Sequence, residues 1–243
     1  MEKVLLVLGA SSEMGIAAIR DVKDDYDRVI AHYFHMNDPL RSLQETLGEK
    51  ITLVQADLSN EKQVISLIES INSANLVPTH MIHFPAQQIQ FRRFSKTKWE
   101  DFERGFDISV KSLFLIAQAF LPKMAKAGHG KMIVLISYVV DGMPPKYYAD
   151  YVVTKYALLG LVKSLAAEYA EKGITVNGIS PALVETRFTE GLPEKIIELN
   201  EASSPIGRNL NVEDIIPAIR FLLSDGSGCI NGQNLLITCG RGS

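Results

Sequence analysis

The sequence predicts an α/β protein: a doubly wound parallel sheet of about seven strands, covered by helices on both faces in three layers. Three observations carry this. Short apolar runs recur at 4–8, 29–31, 51–54, 81–82, 132–136, 174–176 and 235–237. Several are apolar at consecutive positions, which suits strands covered on both faces. Between them lie segments with apolar residues three and four apart, at 16–22, 64–71, 102–124, 152–169 and 215–223, the spacing of helices with one buried stripe. Strand, helix, strand in repetition makes right-handed crossovers. In such a sheet ligands collect at the carboxyl ends of the strands, near the point where strand order reverses.

Composition bounds what these elements can do. With 243 residues and 47% apolar content, one folded domain over 1–243 is expected. No repeat or Pro/Gly/Ser linker divides it. A net charge of −3 argues against a polyanion-binding surface, and no nucleic-acid partner is expected. Cys229 and Cys239 stand in no ligand spacing, so neither a disulfide scaffold nor a metal site is expected. No run approaches eighteen apolar residues and no leader pattern opens the chain. The expectation is a cytoplasmic protein with no membrane segment.

The first strand runs into Gly9-Ala10-Ser11-Ser12-Glu13-Met14-Gly15 and then a helix. Glycine at such a turn lets the backbone approach a diphosphate, and the helix N-terminus offers free N–H groups and partial positive charge. Ser11 and Ser12 are placed to donate hydroxyl hydrogen bonds to the same phosphates. The competing reading is a small-residue turn with a capping serine. Glu13 is discordant, since a carboxylate repels a diphosphate unless it points away. The second strand ends near His32 and His35, either placed to contact a phosphate or simply solvated, with no acidic residue. An enzyme that prefers NAD usually carries an acid there for the ribose 2′-hydroxyl. NADP(H) is therefore favoured and NAD(H) is the alternative. The third strand ends at Asp57, placed either to meet an adenine amino group or to cap the following helix with Ser59 or Asn60.

After the fifth strand, Tyr151 and Lys155 are four apart at the start of a helical pattern and share one face. A lysine ammonium beside a phenol is expected to lower its pKa from about 10. A tyrosine tuned in this way exchanges a proton with a carbonyl oxygen as hydride arrives at carbon.

Taken in order, these segments resemble the short-chain dehydrogenase/reductase family over nearly the whole chain. The resemblance is carried by the glycine turn, Asp57, Tyr151-x-x-x-Lys155, Val176-Asn177-Gly178-Ile179-Ser180-Pro181, Leu183-Val184-Glu185-Thr186, Pro205-Ile206-Gly207-Arg208 and Gly232-Gln233. It is closest to the 3-oxoacyl-carrier-protein reductases. It implies a Rossmann-type sheet and a nicotinamide cofactor. It also implies a small-molecule or acyl-carrier-linked carbonyl substrate, and a homo-oligomer (dimer or tetramer) paired through the helices near 102–124 and 152–169. By position, Gly9, Ser11, Ser12 and Gly15 would hold the diphosphate and Asp57 the adenine. Pro181, Val184 and Thr186 would bracket the nicotinamide carboxamide, with Tyr151 as acid/base and Lys155 as its activator.

The departures are specific. The family's Asn-Asn-Ala-Gly reads His83-Phe84-Pro85-Ala86. The asparagine that supports the proton relay is Ser109. The carbonyl-polarising serine, thirteen residues before the tyrosine, is Tyr138. Ser137 is adjacent but points to the opposite face of a regular strand, so it substitutes only if the strand end bends. Otherwise the Tyr138 hydroxyl donates instead. These departures set an NAD(P)H-dependent reductase against a non-catalytic nucleotide-binding or assembly protein on the same scaffold. Arg92, Arg93, Lys96 and Lys98 form either a solvated face or a dock for an anionic substrate or acidic carrier. The stretch 187–204 is the expected substrate lid, with Phe188, Leu192, Ile196 and Ile197 lining a pocket or packing the lid. Met143, Pro144, Pro145, Tyr147 and Tyr148 are expected to border the reacting carbon, an aromatic wall compatible with a flat substrate.

Overall fold

A computed structural model describes residues 2–240. Seven parallel strands form one sheet: β1 Val4–Leu8, β2 Arg28–Tyr33, β3 Ile51–Gln55, β4 His80–His83, β5 Gly130–Leu135, β6 Ile174–Pro181 and β7 Asn234–Ile237. Their order is β3-β2-β1-β4-β5-β6-β7. The winding reverses between β1 and β4, so the crevice beyond their carboxyl ends is the expected ligand seat.

The consecutive apolar residues have a direct cause. Leu6 and Leu8 of β1 face one core, packed by helices α3 (Glu61–Ser73), α5 (Ser112–Ala127) and α6 (Ala149–Tyr169). Leu5 and Val7 face a second core, packed by α1 (Glu13–Val22), α2 (Asp38–Leu47) and α8 (Ile216–Leu223). A strand buried on both faces has no polar side to alternate with.

Two helices escaped the periodicity. α2 buries only Leu40 and Leu43, too narrow a stripe to announce itself. α7 (Glu194–Ala202) lies inside the expected lid and contains no fully buried residue. The predicted helix at 102–124 is longer and composite. α4 (Trp99–Phe106) passes through a π-helical stretch, Asp107–Lys111, into α5. The span Trp99–Ala127 is long and apolar enough to cross a membrane by length and composition, but half of its apolar 18-residue window is buried inside the protein, as in a core helix.

Candidate active site

The turn after β1 is built to be tight. Gly9 has φ +77°, a conformation that favours glycine. A Cβ on Gly15 would lie 2.5 Å from the Gly9 carbonyl oxygen, so α1 can start this close to β1 only with glycine there. Ser12 caps α1. Its Oγ accepts from the Gly15 N–H at 3.0 Å and donates to the Gly9 carbonyl at 2.7 Å. The capping reading is thus the one seen for Ser12: its single hydroxyl proton is spent inside the turn. Ser11 carries no side-chain hydrogen bond among the described residues. The N–H groups of Glu13 and Met14, in the first turn of α1, have no intrahelical acceptor. A diphosphate fits this chemistry.

His32 corrects another expectation. It is buried at the end of β2; its Nδ1 accepts from the Gly9 N–H at 3.1 Å and its Nε2 lies 3.1 Å from the Ala56 carbonyl. Burial holds its pKa down to about 4, so the ring is neutral and braces the glycine turn from below. It is not available to a phosphate. His35 is exposed, its ring tilted against that of Phe34 with centres 4.0 Å apart. Asp57 is not the helix cap either. Asn60 caps α3, while Asp57 Oδ1 accepts from the Ser59 N–H at 2.9 Å and hydroxyl at 2.7 Å. Burial opposes its ionisation, but those two donors outweigh it and hold the carboxyl below its usual range.

Beyond β5 the strand end bends, as a serine substitute requires. The Ile136 N–H still bonds the Ile179 carbonyl of β6 at 2.7 Å. The next N–H, of Ser137, goes instead to the Ser180 hydroxyl at 3.3 Å, and the chain rolls into a 3₁₀ turn at Tyr138–Val140. Ser137 and Tyr138 consequently line the same cleft. The Ser137 hydroxyl stands near enough to the Tyr151 phenol to favour its ionised form. Ser180 is held in turn by Asn234 of β7 at 2.7 Å, and Asn177 secures the loop before β7 through Ile230 and Gln233.

Lys155 lies one helical turn from Tyr151, with Nζ 5.5 Å from the phenol ring centre and donating to the Leu135 carbonyl at 2.9 Å. The expected lowering of the tyrosine pKa is not what the geometry gives. Burial pushes Tyr151 up to about 12, against the Ser137 hydroxyl, which acts in the opposite sense. Burial likewise brings Lys155 down to about 7. A lysine that readily loses its charge is a weak stabiliser of a phenolate.

The cleft over these groups holds about 460 Å³. It brings together Ser12, Ser137, Tyr138, Tyr151, Lys155, Pro181, Val184 and Thr186. Gly9, Ser11, Gly15 and Asp57 lie outside its lining. From the lid, Phe188, Leu192 and Ile196 line it, whereas Ile197 packs on the core and its carbonyl accepts from Asn209. Pro145, Tyr147 and Tyr148 border it; Met143 and Pro144 do not. Phe84, Ile89 and Phe91 were not anticipated. Phe91 meets Tyr147 and Tyr148 edge-on at 5.2 and 5.5 Å, and Tyr147 has φ +75°, so this wall is a built aromatic cluster. The only sequence signal for it was the aromatic richness of 147–151. Arg92 is not a substrate dock. Its guanidinium joins Asp101 at 2.7 Å to Asp150 at 3.0 Å, tying α4 to the first turn of α6. Arg93, Lys96 and Lys98 are exposed, as a solvated face.

Comparison with known proteins decides the family. The family profile described as enoyl-(acyl carrier protein) reductase matches residues 9–241. The chain belongs to the short-chain dehydrogenase/reductase family. It is similar to the 3-oxoacyl-[acyl-carrier-protein] reductase FabG of Rickettsia prowazekii, at 29% identity over 98% of this chain and 96% of that protein. It is also similar to an NADPH-dependent aldehyde reductase-like chloroplastic protein of Arabidopsis thaliana, at 28% identity over 98% and 93%. Among solved structures, a 4-hydroxyisoleucine dehydrogenase complexed with NADH superposes with TM-score 0.90 at 24% identity, covering 99% of this chain and 100% of that one. A gluconate 5-dehydrogenase of Burkholderia cenocepacia in complex with NADP and tartrate superposes with TM-score 0.87 at 23% identity, covering 98% and 94%. These two share the fold.

Against the short-chain dehydrogenase/reductase pattern, two departures have visible consequences. Phe84 and Pro85 replace Asn-Ala and pack on the glycine turn; a Cβ on Gly9 would meet both at 3.4 Å. Ser109 sits buried in the π-helical stretch with an unpartnered hydroxyl among the described residues. It borders a cavity of about 20 Å³ beneath the cleft, shared with Gln87, Tyr151 and Lys155.

Proposed function

We propose that the protein is an NADP(H)-preferring carbonyl reductase of the short-chain dehydrogenase/reductase family, reducing an apolar ketone or 3-oxoacyl substrate with Tyr151 as general acid. The observation that carries this is the Ser137–Tyr151–Lys155 grouping, with Ser137 and Lys155 buried and Tyr151 partly buried, at the floor of a cleft that opens beside the glycine turn. When bound, a reduced nicotinamide supplies hydride. The chain supplies the rest. Tyr151, with its pKa raised to about 12, holds its proton at neutral pH and is ready to donate it to a carbonyl oxygen. Ser137 is placed to share that oxygen as a second donor. Lys155, fixed by the Leu135 carbonyl, offers its charge to the phenolate that remains as long as the lysine is protonated, below about pH 7. Pro181, Val184 and Thr186 wall the nicotinamide end.

The cleft supports an uncharged, apolar substrate. Its charged lining residues are Glu13, Lys146 and Lys155. Glu13 is paired with Arg187, Lys155 is held at the floor, and Lys146 is exposed at the mouth. The FabG and aldehyde-reductase relatives fit this reading better than a polyhydroxy-acid substrate does. Preference for NADP(H) rests on the end of β2, where no carboxylate stands to meet a 2′-hydroxyl and His35 is exposed nearby.

The test pairs binding with turnover. Titration with NADPH and NADH should show tighter NADPH binding. Tyr151→Phe should lower carbonyl reduction by about 10²–10⁴ while leaving NADPH affinity within about threefold. Undiminished turnover in that variant would remove Tyr151 from the role.

A further inference from the structure

Glu13 was the one residue of the glycine turn that argued against an anion there. Its carboxylate has a partner. Glu13 Oε1 accepts from the Arg187 backbone N–H at 3.2 Å and lies 3.4 Å from Arg187 Nε. Arg187 is the first residue of the lid, 174 positions away in sequence. The lid's root is otherwise stiff. Thr189 Oγ1 lies within hydrogen-bond distance of the Val184 and Thr186 carbonyls, at 3.0 and 2.9 Å, and of the Thr186 N–H, at 3.2 Å. The Arg187 backbone is thereby positioned beside α1, while its side chain is 57% exposed and, among the described residues, held only by the Glu13 carboxylate.

We propose that Arg187 is a diphosphate-binding residue held in reserve: its guanidinium rests on Glu13 in the free protein and passes to the dinucleotide diphosphate when that group reaches the start of α1. This rests on the dinucleotide-binding reading above. The physical case is one of competition. Glu13 is the first residue of α1 and borders the cleft, so the charge it offers lies where the diphosphate would lie. A half-exposed ion pair holds its partners weakly. A diphosphate carries more negative charge than one carboxylate and gains from the same helix N-terminus. The exchange also removes the side-chain part of the clasp between lid and turn, so arrival of cofactor is felt at the root of the lid.

The test is direct binding, read by quenching of protein fluorescence or by calorimetry, with NADPH and NADH separately. Glu13→Gln should tighten both by about three- to tenfold, because it removes a competitor and a repulsion together. Arg187→Gln made on the Glu13→Gln background isolates the arginine, since no freed carboxylate confuses the comparison. It should weaken both dinucleotides by about tenfold and reduce the salt dependence of binding. Equal loss for the two dinucleotides locates the contact on the diphosphate. A loss confined to NADPH would place Arg187 on the 2′-phosphate and overturn the proposal, as would affinities within twofold of the Glu13→Gln parent. Unchanged melting temperatures establish that each variant is folded. Absence of binding by the unmodified protein to either dinucleotide would instead strike the oxidoreductase reading itself.

Discussion

Tyr151 and Lys155 could be found by spacing, because four residues on a helix make one face. Their protonation could not, because it depends on burial. The neighbouring choice between Ser137 and Tyr138 was also open in sequence, since strand alternation gives only one of them the cleft. The Ser180 hydroxyl takes the Ser137 N–H, the chain leaves the sheet there, and both side chains reach the cleft; on our proposal Ser137, beside Tyr151, is the polarising donor. Ser137→Ala should therefore lower turnover by about 10²–10³, with Tyr138→Phe within about fivefold of the parent. The reverse ranking in steady-state assays would transfer the polarising role to Tyr138. The lysine adds a pH signature. Its pKa near 7 means that its charge is present below that value and lost above it. Saturated reduction should accordingly decline as pH rises from 7 to 9, and Lys155→Arg, which keeps its charge, should flatten the decline even if its overall rate is lower. A parent profile flat to pH 9 would sever turnover from that charge.

At the scale of elements, strands and long helices were legible because burial writes itself as apolar periodicity. What periodicity missed were α2 and α7, with few or no buried residues, and the π-helical passage at Asp107–Lys111, which leaves the apolar pattern continuous. The glycine turn was legible as a turn, but the brace under it, His32, was not. Its role follows from β2 and β1 lying in register, with Leu8 opposite His32, a pairing no local motif announces. Helices α4, α5 and α6 also carry large apolar residues outward: Trp99, Phe114, Val153 and Tyr156 are exposed. Exposed apolar groups on adjacent helices support the proposed pairing of two copies through this face. Light scattering on the eluting protein should then give a dimer or tetramer, and Phe114→Glu should shift it toward monomer. A monomeric parent at tens of micromolar would end that proposal.

For the molecule as a whole, the sheet carries three buried histidines, His32, His80 and His83, which lie in β2 and β4. His80 keeps one ring nitrogen and His83 both without a hydrogen-bond partner among the described residues, so neither holds a proton cheaply. Burial lowers His32 to about 4, His80 to about 3 and His83 to about 3; Lys155 contributes a smaller repulsion to His83, as His129 does to His80. In the unfolded chain each would titrate near 6.5. Between those values the unfolded state binds more protons than the folded one, so the stabilising contribution is complete above about pH 6.5 and is lost as pH falls. Each site adds a slope of about 1.4 kcal/mol per pH unit, and three together make about 4 kcal/mol per unit near pH 5. Such a gradient consumes a typical domain's stability within a few pH units. Urea midpoints should be nearly constant from pH 8 to 7 and fall steeply from 6 to 4.5. His83→Asn, which deletes one proton site where the family carries asparagine, should reduce that slope by about a third. An acid limb of equal steepness in that variant would show that carboxylates, and not these rings, set the acid limit of the fold.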